Sequence, residues 1–356
     1  MSGGTVGRVA AARVEAQLLG TERATDAAGV VGRLGALQAQ DLAATALAVR
    51  ARTHDLVAAD LGLEGPAFVR IWLMRGTLHL VAAEDAGWML GLLGPLNRTR
   101  GARRRAQLGL DDTLCDRAVE ALPEALAGGP LGREELVARL AALGVVIDPT
   151  GQAPAHLLAY AAAAGVLCLG PEVARGKASY RLLHAGPPRA DALPELARRY
   201  LNGHRPADPA DFAAWSGLPA RDAKAAFTRL APASAATAPA AAAAANPRAT
   251  GTVRMVGHFD PYLLGYADKT AAVPASYVDR VRTGGGFVTP TVLVDGIAVA
   301  TWRLHGNTIA LEPFEPLSDA VQAAVASEVD NITRFLGLTR PGRSAPSGLP
   351  RTGTAR

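Results

Sequence analysis

The sequence predicts an α+β fold in which three tandem winged-helix units precede a C-terminal β-rich domain. Three observations lead to this prediction. Helical spacing followed by a β-rich hairpin occurs near the N-terminus and again at residues 131–183. Residues 208–230 have the order helix, glycine-containing turn, helix, which is the order of a helix-turn-helix unit. A last β-rich stretch, residues 287–313, follows an Ala/Pro-rich segment.

The first unit begins with two amphipathic helices. Residues 8–19 form the first helix, and Thr25 is expected to cap the second, whose apolar residues recur at three- and four-residue spacing. This pattern ends at residues 38–41, and residues 42–52 have helical spacing again. Residues 68–81 are rich in strand-forming side chains on either side of a turn, so we expect the wing there.

The second and third units repeat this order. Residues 131–143 and 153–164 have helical spacing, and residues 166–169 and 179–183 are the expected strands of a second wing. The third unit is the helix-turn-helix at residues 208–230, which carries the most specific local signal of the three.

The C-terminal third combines a linker, a sheet and a helix. Residues 231–250 are low-complexity Ala/Pro sequence and are expected to form the linker or a long surface loop. Turns at Asp295-Gly296 and at residues 305–307 divide the following β-rich stretch into a meander of about three strands. Ser318 is expected to cap a closing helix that ends near Leu336.

These patterns give the predicted domain boundaries. They are winged helix 1 at 1–95, a basic helix with winged helix 2 at 96–190, winged helix 3 with the linker at 191–250, the β-domain with its closing helix at 251–340, and a flexible tail at 341–356.

Composition restricts the class of protein. The chain has 356 residues, of which 49% are hydrophobic, and a formal net charge of +5. This allows two or three domains with a sizeable core. The two cysteines, Cys115 and Cys168, do not have a metal-ligand spacing, so we expect no metal, no cofactor and no disulfide framework. No long apolar stretch or secretory signal is present, which predicts a cytoplasmic protein without a membrane span.

One nine-residue stretch, residues 97–105, is rich in basic side chains. Only three lysines occur, so most of the positive charge is arginine. Five arginines lie without an intervening acid at Arg98, Arg100, Arg103, Arg104 and Arg105. Such a run is typical of a clamp that binds nucleic-acid phosphates without reading sequence. A solvated surface face is the alternative interpretation.

The order of several segments resembles the AlkZ/YcaQ group of winged-helix DNA glycosylases. The resemblance extends from about residue 8 to residue 336. It implies three winged helices and a C-terminal β-domain around a DNA-sized channel. It also implies a protein that is associated with the nucleoid. The segments that carry it are LGALQAQD at 34–41, VRIWLMRGTLHLV at 69–81, the helix-turn-helix at 208–230, HFDPYLLGYADK at 258–269 and TPTVLVDGIAVATWR at 289–303.

The resemblance implies a catalytic Q-x-Q motif at Gln38 and Gln40, the form found in the AlkZ branch. It also places the first wing near this motif, where Arg75 and His79 are expected to contact phosphate or the lesion. For His79 a hydrogen-bonded structural position in the strand is the alternative. The implied substrate is double-stranded DNA that carries bulky alkylated purines, in repair or in self-resistance, and the expected enzyme is a monomer.

The chemistry of glutamine supports a particular class of lesion. Glutamine does not ionise near neutral pH, so it cannot be a conventional general base. An amide pair can instead position water against C1′ and direct dipoles at a developing oxocarbenium ion. This suffices when the leaving base is cationic, as in N7-alkylguanine and N3-alkyladenine. Asp41 is a competing candidate for the base, although its place before a helix favours a capping role.

The lysine positions favour a monofunctional glycosylase, because none of Lys177, Lys224 and Lys269 is near the motif in sequence. Two other classes of function remain open at this point. One is a winged-helix regulator or DNA-packaging protein without catalysis. The other is a regulator that senses a small molecule through its C-terminal β-domain.

Overall fold

The computed structural model describes residues 3–174, 176–184, 186–234, 251–284 and 287–338. Most of the expected Ala/Pro linker and all of the expected flexible tail therefore lie outside the described residues. The N-terminal elements are helix α1 (Gly3–Ala16), helix α2 (Ala27–Leu34), the short strand β1 (Leu37–Gln38) and helix α3 (Leu42–Arg50).

The two predicted wings are present as antiparallel hairpins. The first consists of β2 (Phe68–Trp72) and β3 (Leu78–Ala82), and the second of β4 (Leu167–Ala174) and β5 (Lys177–Leu182). They do not form separate sheets, because Arg70 of β2 pairs with Leu169 of β4. The result is one five-stranded sheet with the order β1-β3-β2-β4-β5. The sequence patterns that predict the two hairpins do not indicate this pairing between them.

Helices surround this sheet and share one hydrophobic core with it. The residues of this core run from Ala36 to Ala226, whereas α2, β1 and α3 pack with Phe68 and Leu80 in a neighbouring cluster. The helices concerned are α4 (Ala86–Gln107), α5 (Asp112–Ala125), α6 (Arg133–Ala142), α7 (Ala153–Ala163), α8 (Ala192–His204), α9 (Pro209–Ser216) and α10 (Ala220–Ser234).

Helices α9 and α10 form the predicted helix-turn-helix. Asp208 caps α9 through a reciprocal arrangement with Asp211, in which each side chain accepts a hydrogen bond from the other residue's backbone N–H. Gly217 ends the helix with φ of 77°, a left-handed conformation that glycine adopts without a Cβ penalty. The chain can therefore turn directly into α10.

The C-terminal part forms a second antiparallel sheet, with the order β6-β7-β8-β9. Asp295 and Gly296 have φ of 49° and 82°, the conformation of a tight hairpin turn, as predicted. The sheet contains one strand more than the predicted meander, because residues 253–256 also pair with it. The elements are β6 (Val253–Val256), α11 (Pro261–Leu264), α12 (Val278–Val281), β7 (Thr291–Val294), β8 (Ile297–His305), β9 (Thr308–Pro313) and α13 (Asp319–Phe335).

The closing helix α13 joins the C-terminal part to the N-terminal part. Its Phe335 is buried in a cluster with apolar residues of α2 and α3. Arg50 of α3 donates hydrogen bonds to Glu328 and Asn331 of α13, at 3.1 and 3.0 Å. The α13 helix thus holds α3, and with it the Q-x-Q segment just before α3, against the second sheet.

Two predicted caps differ in detail. Helix α2 is capped by Asp26 and not by Thr25, because the Asp26 carboxylate accepts a hydrogen bond from the backbone N–H of Gly29 at 2.7 Å. Ser318 occupies the N-cap position of α13, but its side chain makes no capping hydrogen bond within the described residues. Among the residues that the structure describes, no helix combines the length and the apolar character needed to cross a membrane.

Candidate active site

The Q-x-Q segment is an extended edge of the first sheet. Leu37 and Gln38 pair with β3, and the backbone N–H of Ala39 donates to the carbonyl oxygen of Leu78 at 2.8 Å. In extended backbone, side chains two residues apart point to the same side. Accordingly, Leu37 and Ala39 are fully buried, whereas Gln38 is half-buried and Gln40 is exposed. Both amides therefore project from one side of the segment.

The segment is fixed where it enters α3. Asp41 caps this helix, because its carboxylate accepts hydrogen bonds from the backbone N–H groups of Ala43 and Ala44, at 2.8 and 3.3 Å. The hydroxyl of Thr45 donates to the carbonyl oxygens of Gln38 and Asp41, at 3.1 and 3.0 Å. The carboxylate nearest to the motif in sequence thus has a structural role, as its position before the helix predicts.

A cleft of about 470 Å³ opens in front of the two amides. Its wall contains residues of the first sheet, of α9 and of the segment that follows β6. Among the described residues that line it, none is an aspartate or a glutamate, so the cleft offers amides, aromatic rings and cations. The lining residues are Gln38, Gln40, Arg75, Thr77, Ala214, Phe259, Leu264, Tyr266, Ala267, Lys269, Arg282 and Phe287.

One wall of the cleft is aromatic. The rings of Phe259 and Phe287 meet edge to face with centroids 5.3 Å apart, and the ring of His258 lies 4.7 Å from that of Phe287. Phe287 is 45% exposed, which is unusual for so large an apolar side chain. Phe259 has φ of 57°, a conformation that non-glycine residues adopt only when their surroundings hold them there. The wall thus presents open ring surface to a ligand.

Arg75 connects the amide pair to the helix-turn-helix. Its guanidinium donates to Gln38 Oε1 at 3.3 Å, and it also donates to the carbonyl oxygens of Trp215 and Ala214. These carbonyls lie at the C-terminal end of α9, where a cation is favoured by the helix dipole. Arg75 therefore orients Gln38 and places the helix-turn-helix at the edge of the cleft.

A buried ion pair holds the opposite wall in place. Arg52, just after α3, donates to both carboxylate oxygens of Asp260, at 2.8 and 2.7 Å, and both side chains are fully buried. The Asp260 carboxylate also caps α11 through the backbone N–H of Tyr262. Asp260 is thus both a capping and a salt-bridging residue, and it anchors the segment from 258 to 269 against α3.

Helix α1 supports the same wall from behind. Gln17 accepts a hydrogen bond from Arg52 and donates to the hydroxyl of Tyr266, at 2.9 and 3.2 Å. The guanidinium of Arg13 lies 3.5 Å from the centre of the Tyr266 ring and pairs with Asp211 of α9 at 3.4 Å. Four parts of the chain therefore converge on the cleft through one buried polar network.

Lys269 is one of several residues of the cleft that the sequence did not identify as site residues. It is far from the Q-x-Q motif in sequence, yet it lines the same cleft. Its ammonium donates to the carbonyl oxygen of Leu264 at 3.1 Å. Burial, assisted by the nearby guanidinium groups of Arg282 and Arg75, lowers the pKa of Lys269 to about 8. Distance in sequence therefore does not keep a lysine away from the motif, and it no longer favours a monofunctional enzyme.

Two expected DNA contacts lie inside the protein. His79 is buried directly across from Gln38 in the β1–β3 pair, and its Nδ1 bonds the carbonyl oxygen of Thr77 at 2.9 Å. Burial lowers the pKa of His79 to about 3, so its ring is neutral. Arg105 is buried over the Tyr160 ring and pairs with Asp112 at 3.2 Å. The structure does not place either side chain where it could touch DNA.

The other arginines of the run lie on α4 but differ in their surroundings. Arg100 donates to the carbonyl oxygen of Gly217 in the helix-turn-helix, and Arg98 is half-buried with its guanidinium 5.7 Å from the Tyr160 ring centre. Arg103 and Arg104 are exposed, and Arg104 contacts the side chain of Gln152 at 2.8 Å. This last pair presents exposed basic surface of the kind a phosphate clamp needs.

Comparison with known proteins places this geometry in a family. The family model described as "DNA glycosylase AlkZ-like" matches residues 31–335. A curated relative from Streptomyces sahachiroi, named "Interstrand DNA cross-link repair glycosylase", is 28% identical over 94% of this chain and 97% of its own length. The solved structure of Streptomyces sahachiroi DNA glycosylase AlkZ superposes with a TM-score of 0.80 at 26% identity, again over 94% of this chain and 97% of that one. With the mixed helix and antiparallel-sheet architecture and the matched range in agreement, the chain belongs to the AlkZ-like family of DNA glycosylases.

Proposed function

We propose that this DNA glycosylase hydrolyses the N-glycosidic bond of cationic alkylated purines, with Gln38 and Gln40 as the catalytic residues. The observation that carries the proposal is that both amides line the same cleft. Among the described residues of its wall, Phe287 exposes aromatic surface and none has a carboxylate. Such a wall offers no carboxylate that could act as the general base. The reaction then depends on a base that leaves readily, and a base made cationic by alkylation is of this kind.

The aromatic wall supports a flat, positively charged ligand. Phe259 and Phe287 present ring surface to the cleft, and a cation over an aromatic face gains about 0.5–2 kcal/mol. The amides would then contact the sugar, where positive charge develops as the bond to the base lengthens. Dipoles directed at developing charge are among the largest contributions to catalysis in buried sites.

The architecture supports DNA in duplex form. We propose that α2 and α3 with the first hairpin, α6 and α7 with the second, and α9 and α10 act as three winged-helix units, with boundaries at 1–95, 96–190 and 191–250 and a β-domain at 251–340. The helix-turn-helix borders the cleft through Ala214 and Arg75. A duplex that contacts α10 would therefore pass the amides. The enzyme would act as a monomer.

The name of the Streptomyces sahachiroi relative refers to interstrand cross-link repair. A cross-link that joins two purines through N7 contains the same cationic leaving group on each strand. The open position of Gln40 and Phe287 supports acceptance of such a bulky substituent. We therefore extend the proposed substrates to bulky N7 adducts and to cross-linked duplexes.

The proposal is tested with a panel of duplexes that each carry one lesion. The expected result is release of free base, with formation of alkali-labile sites, from N7-methylguanine, N3-methyladenine and a bulkier N7 adduct. Duplexes with uracil or 8-oxoguanine should release no base, because these leaving groups are neutral. Efficient release of uracil would contradict the proposed chemistry, and release from none of the cationic lesions would contradict the proposed substrate class.

A further inference from the structure

The cleft contains a group of cations that the amide chemistry does not use. Arg75, Lys269 and Arg282 all line it, and none of its described lining residues is an acid. Arg75 is already bonded to Gln38 and to α9. Lys269 donates a hydrogen bond to a backbone carbonyl. The side chain of Arg282 is exposed, and the described part of the chain provides no hydrogen bond or ion pair to its guanidinium.

Like charges held together in a partly buried cleft repel one another unless an anion lies between them. The charges that act on Lys269 are the guanidinium groups of Arg282, Arg75 and Arg13, which oppose its ammonium form, and the carboxylate of Asp211, which favours it. Asp211 is itself committed to Arg13 and to the backbone N–H of Ala267. The protein thus leaves positive charge in the cleft only partly balanced.

We propose that Lys269 and Arg282 bind a phosphodiester adjacent to the lesion nucleotide, and that Lys269 is thereby a positioning residue for the reaction. The inference rests on the proposed function, which places the sugar of the lesion nucleotide in this cleft. Each sugar in DNA lies between two phosphates. A C1′ atom placed at Gln38 and Gln40 brings a phosphate into or beside the same cleft. The ammonium and guanidinium groups are suited to that anion.

This subsite also explains how a positive cleft accepts a positive base. The phosphate offsets the charge of Lys269 and Arg282, so that the alkylated purine meets the aromatic wall and not an unbalanced cation. Holding the phosphate fixes the sugar relative to the amides. Displacement of reacting groups by about 1 Å can lower a rate by about a hundredfold.

The test separates binding from base release. Duplexes containing a tetrahydrofuran abasic analogue, which has no base to release, are titrated with wild type, Lys269→Met, Lys269→Arg and Arg282→Ala at several salt concentrations. Lys177→Met, at the exposed first residue of β5 and outside the cleft lining, is the matched lysine control for the rate of base release. Single-turnover release from N7-methylguanine DNA is measured with the same proteins at saturating enzyme.

For Lys269→Met and for Arg282→Ala we expect the slope of log affinity against log salt to flatten by about 0.9, the change that follows when one phosphate is no longer neutralised. For Lys269→Met we also expect the single-turnover rate to fall by about 10–100-fold, whereas Lys269→Arg should retain both properties at pH 7.

The wild-type affinity should decrease as pH rises through about 8, because the ammonium form binds the phosphate and is depleted at higher pH. Lys269→Arg should not show this decrease.

An unchanged salt slope and unchanged pH dependence in Lys269→Met would overturn the phosphate subsite. Trapping of Lys269 on abasic DNA by borohydride would also overturn it, because the amine would then act as a nucleophile towards the opened sugar. If the wild type binds the abasic duplex with the expected Lys269 dependence but releases no base, the phosphate subsite stands and the proposed function fails.

Discussion

At the scale of single residues, side chains that are neighbours in sequence have different roles at the cleft. Gln40 lines the cleft, whereas the carboxylate of Asp41 is turned to the first backbone N–H groups of α3. His79 lies across the strand pair from Gln38 but is buried and neutral. Of these four side chains, the two that line the cleft are amides, which do not ionise in the physiological range.

Between about pH 6 and 9 at saturating enzyme, we expect Asp41→Asn to release N7-methylguanine at nearly the wild-type rate and with the wild-type profile. That profile has no acid limb, because amides do not titrate there, and it declines through about pH 8 as the Lys269 ammonium is lost. Asparagine caps a helix about as well as aspartate, so the Q-x-Q segment keeps its position while the carboxylate is removed. Single-turnover kinetics across this pH range provide the measurement. A steep acid limb in wild type that disappears in Asp41→Asn would show that Asp41 is the general base.

A candidate residue could be identified from the sequence only where it belongs to a local motif or marks the start of a helix. Gln38 and Gln40 stand in a segment whose neighbours resemble a known family, and Asp41 precedes a helical pattern. Phe259, Lys269 and Phe287 reach the cleft from the other end of the chain, and no spacing relates them to the motif. Their contribution depends on the tertiary packing of α1, α3 and the segment after β6.

At the scale of elements, the position of that segment depends on the Arg52–Asp260 pair. Both side chains are fully buried and joined by two hydrogen bonds. Removal of one partner from such a pair leaves an unpaired buried charge. The pair therefore controls both the stability of the fold and the placement of the aromatic wall.

We expect Arg52→Met to lower the free energy of unfolding by about 3–5 kcal/mol. The double variant Arg52→Met/Asp260→Asn should recover part of this stability, because it removes the orphaned charge while the asparagine retains a capping group for α11. Urea unfolding of the single and double variants measures both effects. A double variant that is less stable by the full sum of the two single effects would contradict this explanation.

The arginine run of α4 contains two kinds of residue, which mutations should separate. Neutralising Arg103 and Arg104, which are exposed, should weaken binding of damaged and undamaged duplexes equally. The salt dependence should flatten by a slope of about 0.9 for each phosphate that the variant no longer neutralises. Binding titrations at several salt concentrations measure it, and an unchanged slope would make this pair a solvated surface.

Arg105→Met is the matched comparison on the same helix. Because Arg105 is buried with Tyr160 and paired with Asp112, this variant should be less stable without a change in the salt slope. Urea unfolding and the same titrations distinguish the two effects.

Element boundaries follow from sequence where the signals are local. The helix-turn-helix is predictable because Asp208 and Gly217 mark its start and its turn, and the hairpins because strand-forming residues flank short turns. The union of the two wings in one sheet is not predictable in this way. It depends on the pairing of Arg70 with Leu169, and contacts between residues so distant in sequence leave no periodic pattern.

At the scale of the whole molecule, the cleft is formed where the edge of the first sheet meets the segment that follows β6. The first sheet supplies the amides, and the segment after β6 supplies the aromatic rings and Lys269. Helix α13 and the network around Arg52 hold these parts together. The candidate active site is thus a property of the assembled chain and not of any one segment of it.

The most direct test of the central claim compares wild type with Gln38→Ala, Gln40→Ala and the double variant on N7-methylguanine DNA under single-turnover conditions. Removal of one positioned hydrogen-bonding group of this kind typically lowers a rate by about 10²–10³-fold. We expect base release to fall to this extent in each single variant and further in the double variant, while all three bind the abasic duplex as wild type does. Full activity in the double variant would remove both glutamines from the mechanism and contradict the account.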